Sequence, residues 1–161
     1  KDSGHCVWDW LPDAWMAEPK YFDKDHWHET EVFRNAHVKE EYDWVTGELD
    51  RLLSQHGYER NGLFYRAVAP NEDTIVLFCH FGVECVLLSH LLNISPMQLW
   101  HGTCAAPSSV TVLYTEERRS GVASFRMSRF GDVSHLYAGG REPSFAARFC
   151  EVYTRFDQRH D

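Results

Sequence analysis

The run "TIVLFCH" at residues 74–80 constrains the fold more than any other stretch. It is apolar without interruption from Ile75 to Cys79. A half-buried strand alternates apolar and polar side chains. A run without alternation belongs to a strand covered on both faces, as in a parallel sheet flanked by helices. The next stretch, "GVECVLLSHLLNI" (82–94), reads as a buried helix ended by Asn93 and by Ser95-Pro96. A buried strand feeding a buried helix predicts an α/β layered domain.

The flanking pattern fits that reading. "VKEEYDWVTGELDRLLSQH" (38–56) places Val38, Tyr42, Val45, Leu49, Leu52 and Leu53 at three- and four-residue spacing, which predicts a helix stopped by Gly57. Gly47 costs that helix up to about 1 kcal/mol against Ala, which points to close packing there. "GLFYRAVA" (62–69) predicts a short strand and "PNED" (70–73) a turn. "SPMQLWHG" (95–102) predicts a short helix with Ser95 as N-cap and Pro96 at its first position. "SSVTVLYTEE" (108–117) and "GVASFRMSRFG" (121–131) predict an antiparallel hairpin, and "EPSFAARFCEVYTRF" (142–156) a terminal helix. Residues 1–37 carry Trp8, Trp10, Trp15 and Trp27 at irregular spacing, with Pro12 and Pro19 breaking any long helix. They read as turns and loops pinned by aromatics, either a cap over a site or a segment packed on the domain. One domain over 1–161 is expected. A strand buried on both faces also needs neighbours on both edges, and little before residue 74 supplies them. The sheet is therefore expected to be incomplete at the N-terminus of a truncated or processed chain.

Composition narrows the partners. The formal net charge of -8 opposes binding to nucleic acid or to anionic membranes, and no basic run exceeds Arg118-Arg119. A local pocket still has room for a small anion. The five cysteines are odd in number and form no CxxC, which points to a reducing compartment and a cytoplasmic location. His5, Cys6, His26 and His28 follow no metal-ligand spacing, so no metal site is expected.

The chemistry concentrates where the apolar run ends. In open α/β sheets, ligands bind beyond the C-terminal ends of the strands. His80 sits at that end and Gly82 opens the helix. A helix N-terminus offers free N–H groups and partial positive charge, and an imidazole beside it donates a hydrogen bond or carries a proton. Together they suit a phosphate or another tetrahedral anion. The competing reading is a histidine that caps the helix and does nothing else. Glu84, in the first helical turn, is either a substrate contact or general acid, or a carboxylate placed to suit the helix dipole. Arg34 is either a substrate contact or a surface salt-bridge partner. His90, inside the helix, is expected to be structural.

"TIVLFCHFGVECVLLSHLLNISPMQLWHGTCAAPSSVTVL", with the later "FGDVSHL", resembles the C-terminal half of the histidine phosphatase superfamily, in its phosphoglycerate-mutase-like branch, over roughly residues 38–137. The resemblance implies a three-layer α/β sandwich, incomplete at the N-terminus, with a C-terminal antiparallel hairpin. It implies a phosphomonoester phosphatase or mutase working through a phosphohistidine, with a phosphorylated small molecule as substrate and no metal or organic cofactor. A homodimer is compatible with it. His80 matches the second histidine of the family's phosphate pocket, the backbone of Phe81 and Gly82 its anion-facing turn, and Ser109, with Ser108, its rim. Phe81 stands where the family usually has glycine or asparagine. No Arg-His-Gly motif for the nucleophile occurs; His56-Gly57 reads as a helix end and His101-Gly102 as a loop. The resemblance thus implies a catalytic role for His80 in a longer protein, with this chain inactive alone. The alternative is a non-catalytic anion-binding module or a degenerate relative.

Overall fold

The chain runs through α1 (Pro12–Trp15), a 3-10 turn (Pro19–Phe22) and α2 (Glu31–Asn35) into its longest helix, α3 (Val38–Gln55). There follow β1 (Tyr58–Asn61), β2 (Phe64–Ala67), α4 (Phe81–Leu92), α5 (Pro96–Gly102), β3 (Val110–Arg119), β4 (Val122–Asp132) and α6 (Ser134–Ala138). This computed structural model describes residues 7, 9–144, 152, 154, 155 and 157. They fall into two compact units, one within Lys1–Gly102 and Thr115–Arg126, the other within Thr103–Tyr114 and Met127–Asp161. The fold is mixed α/β, with one four-stranded antiparallel sheet in the order β1-β2-β4-β3.

The heptad-like pattern of 38–56 does form a helix. Its inward face buries Thr46, Leu49 and Leu53. Leu49 and Leu53 join Tyr58, Tyr65, Ala67 and Ala123 in one apolar cluster beneath the sheet. Gly57 stops the helix as expected: its φ is 83°, and a Cβ there would lie 2.4 Å from the carbonyl oxygen of Ala69. Gly47 is different. Nothing lies within 4 Å of a Cβ placed on it, so the inferred close packing is absent.

β1 was not foreseen. Its register on β2 pairs Tyr58 with Ala67 and Asn61 with Phe64, leaving Gly62 and Leu63 as the loop. The signal was the Asn61-Gly62 dipeptide, a strong marker of a tight hairpin. Gly62 takes the positive φ of 62° that such a turn requires. The β3–β4 hairpin forms as expected, and β4 lies antiparallel to β2 at Tyr65 and Ala123.

Residues 74–80 depart from expectation. They form no strand. Only Ile75 packs against the apolar cluster, while Val76 is 67% and Phe78 96% exposed. A strand exists only as part of a ladder, and no backbone group of residues 74–79 is hydrogen-bonded among the described residues. The buried parallel strand is therefore corrected to an exposed, unpaired apolar segment. Of the helix expected over 142–156, residues 145–151, 153 and 156 lie outside the described residues, and 142–144 have no regular structure.

The Trp-rich segment packs on its own unit. Trp15, Tyr21, Trp27 and Phe33 are buried. Trp27 meets Phe33, Tyr42 and Trp100 edge-on at 5.2, 5.2 and 5.7 Å between centroids. Ser95 accepts from the Met97 amide at 3.3 Å, the expected cap of α5, and donates to the Tyr21 carbonyl at 2.5 Å. That second bond ties α5 to the aromatic segment. No described helix is long and apolar enough to cross a membrane.

Candidate functional site at the N-terminus of α4

His80 is the N-cap of α4, in an extended conformation with φ -86° and ψ 157°. An extended N-cap points the preceding chain away from the helix axis, and the first amides of a helix find no partner within the helix itself. The His80 carbonyl accepts the Glu84 amide at 3.0 Å, which closes the first turn. Its imidazole makes no side-chain cap bond and is exposed. The reading of His80 as a capping histidine is thus corrected, because the ring is not spent on the helix amides.

The neighbouring candidates divide. Phe81 and Gly82 are the first residues of α4, both half-buried. The Gly82 carbonyl accepts the Trp100 indole N–H at 3.0 Å, so α5 holds this end of α4 in place. Glu84 is half-buried in the first turn. Partial desolvation and, after it, the Glu84 charge raise the Cys79 thiol above its ordinary range. Arg34 is exposed on α2 and in no ion pair with a described residue, so its expected salt bridge is absent. Ser108 and Ser109 belong to the second unit. Ser108 adopts a φ of 67°, and the Ser109 amide donates to the Ala106 carbonyl at 3.0 Å. The structure therefore gathers His80, Phe81, Gly82 and Glu84 on one helix end, and no hydrogen bond or ion pair joins Arg34 to them among the described residues.

A denser constellation escaped the sequence reading. Asp50 on α3 accepts the Tyr65 hydroxyl at 2.6 Å and meets His90 Nε2 at 2.9 and 3.0 Å. Arg60 donates to the Tyr65 hydroxyl, to the His90 carbonyl at 3.2 Å and to Asn93 Oδ1 at 2.8 Å, and lies 5.0 Å over the Tyr65 ring. Burial by itself pushes Asp50 up, but the hydrogen bonds from His90 and Tyr65 outweigh it and hold the carboxyl below its usual range. Burial and the Asp50 charge push the Tyr65 hydroxyl well up, so it remains a donor. Every polar member has a protein partner, which makes this a structural clamp joining α3, the β1–β2 hairpin and α4. His90 is structural, as expected. The residues are too far apart in sequence for any spacing rule to reveal them.

His101 and Gly102 lie in the last turn of α5 rather than in a loop. His101 Nδ1 donates to the Met97 carbonyl at 3.0 Å, and its ring stacks on Trp15 at 5.0 Å. Burial pushes its pKa down, so the ring is neutral and Nε2 is a buried acceptor with no partner among the described residues. His26 is held by Glu29 at 2.7 Å, and no group of three or more potential ligands forms a metal site among the described residues; His5 and Cys6 lie outside them. Comparison of the chain with protein-family models, with curated proteins and with solved structures finds no significant match.

Proposed function

We propose that this chain is part of a cytoplasmic phosphomonoester phosphatase, or of a phosphoglycerate-mutase-like phosphotransferase, and that His80 is the second histidine of its phosphoryl pocket. The observation that carries this reading is the exposed imidazole of His80, which is spent on no helix amide, at the N-terminus of α4. A planar phosphoryl group in transfer spreads negative charge over its equatorial oxygens. An imidazole N–H and helix amides aimed at those oxygens favour that charge in the transition state.

The nucleophilic histidine and its arginine come from an Arg-His-Gly motif outside these residues. Its imidazole nitrogen forms the P–N bond as the ester P–O bond breaks, and an acid protonates the departing oxygen. Glu84 is the candidate acid in this chain. Water then attacks phosphorus, the P–N bond breaks, and inorganic phosphate leaves. In a mutase the phosphoryl group returns to a substrate hydroxyl instead. No metal or organic cofactor takes part.

The test is turnover of p-nitrophenyl phosphate by the complete enzyme. His80→Ala is expected to lower kcat/KM by about 10²–10³-fold, the loss typical of one preorganised transition-state donor. Unchanged turnover refutes the assignment. A second reading, an anion-binding module without catalysis, is favoured by the absence of Arg-His-Gly from the sequence. It predicts that inorganic phosphate shifts the His80 ring resonances while no polypeptide containing this chain turns over a phosphomonoester.

A further inference from the structure

Residues 72–80 combine three features found together nowhere else in the described structure. First, the backbone amides and carbonyls of 74–79 are unpaired. Second, Val76, Leu77 and Phe78 are exposed at 67, 49 and 96%. Third, the segment is charged at one end only by acids and carries an imidazole at the other: Glu72 and Asp73 precede it and His80 closes it. Asp73 is already engaged by His56 at 2.9 Å. Glu72 and His80 have no side-chain partner among the described residues.

An unpaired β-prone segment is a template for strand addition. The polarity of this one selects its partner. Laid antiparallel on a second copy about a two-fold axis through Val76, Ile75 faces Leu77, Thr74 faces Phe78, and Glu72 faces His80. The two ends then close with a carboxylate–imidazole hydrogen bond each, and apolar side chains meet across the axis. Isologous pairing of this kind satisfies both copies equally and closes without leaving a free edge on that side. A parallel alignment of two copies instead sets Glu72 beside Glu72, where like charges repel.

We infer that residues 72–80 form a self-complementary interface through which two copies of this chain pair as antiparallel strands. The inference does not rest on the phosphoryl-transfer reading, because it needs only the backbone, the apolar run and the two end groups; an imidazole bonded to Glu72 of a second copy is not at the same time bonded to a phosphoryl oxygen. A single strand pair covers less than the roughly 800 Å² per partner of a standard stable interface. Pairing is therefore sought at about 10⁻⁴ M protein.

Sedimentation velocity of the 161-residue chain decides it. The expected result is a reversible monomer–dimer equilibrium. Val76→Pro removes the amide at the axis and Val76→Lys opposes two ammonium groups there; both are expected to give monomers at the same concentration. Val76 is exposed and hydrogen-bonded to nothing, and an unchanged circular dichroism melt verifies that each variant is folded. Glu72→Lys is expected to weaken pairing at least tenfold, and the exchange Glu72→Lys with His80→Glu to restore it. A wild-type chain that stays monomeric, a dimer that survives both Val76 substitutions, or an exchange that fails to restore pairing overturns the inference. None of these outcomes depends on phosphatase turnover, so the two proposals fail separately.

Discussion

At the residue scale the structure concentrates its chemical tension in Asp50. It is a half-buried carboxylate held ionised by Tyr65 and His90. Its folded pKa lies below its unfolded one, so its stabilisation is present above the unfolded value and is lost as pH falls through the folded value. Urea unfolding of wild type and Asp50→Asn is expected to differ by about 2–3 kcal/mol at pH 7, with the gap closing as the pH drops below about 4. A gap that does not depend on pH contradicts the role assigned to the carboxylate. Gly57 is the second decisive residue. Alanine there combines a left-handed φ of 83° with a contact of 2.4 Å to the Ala69 oxygen. Gly57→Ala is expected to cost about 1–3 kcal/mol in chemical denaturation, whereas Gly47→Ala, in open space on α3, is expected to stabilise by up to about 1 kcal/mol.

At the scale of elements, α5 organises the first unit. Trp100 joins it to α4 through the Gly82 carbonyl, Ser95 joins it to the 3-10 turn at Tyr21, and Trp27 packs against the Trp100 ring. The segment before α3 therefore belongs to the core instead of hanging over the sheet. Trp27, 1% exposed, is its anchor. Trp27→Ala is expected to lose about 3–5 kcal/mol, read from the urea midpoint. Trp44, 65% exposed on α3, is the control, and Trp44→Ala is expected to stay within about 0.5 kcal/mol of wild type. The stretch 74–79 makes the opposite statement. With no backbone bonds, its amides are expected to exchange with solvent at unprotected rates in dilute monomer, while those of α3 and α4 are retained. Protection of 74–79 in dilute solution contradicts its unpaired state.

At the scale of the whole molecule, local patterns were the legible part. The 38–56 periodicity, the Gly57 stop, the Ser95-Pro96 start and the β3–β4 hairpin each rest on neighbours in sequence, so each could be read from it. The β1–β2 hairpin was equally local, and the Asn61-Gly62 dipeptide that leads into its Gly62-Leu63 turn was there to be read. His80 at the head of a helix was legible too, because an apolar run, an imidazole and a glycine in order mark a junction. What sequence could not deliver was pairing across distance. Asp50, Tyr65, Arg60 and His90 meet only because α3, the hairpin and α4 pack on one another. The apolar run 74–80 carries the propensity of a strand, but propensity is a property of single residues and a strand is a property of its neighbours. The order of residues by itself determined which segments turn, coil and bury a face, since those depend on contacts a few positions apart. Tertiary structure alone decided which edges are paired, which carboxylate is locked in the clamp and which imidazole is left exposed, because hydrogen bonds and burial are fixed only when distant segments meet.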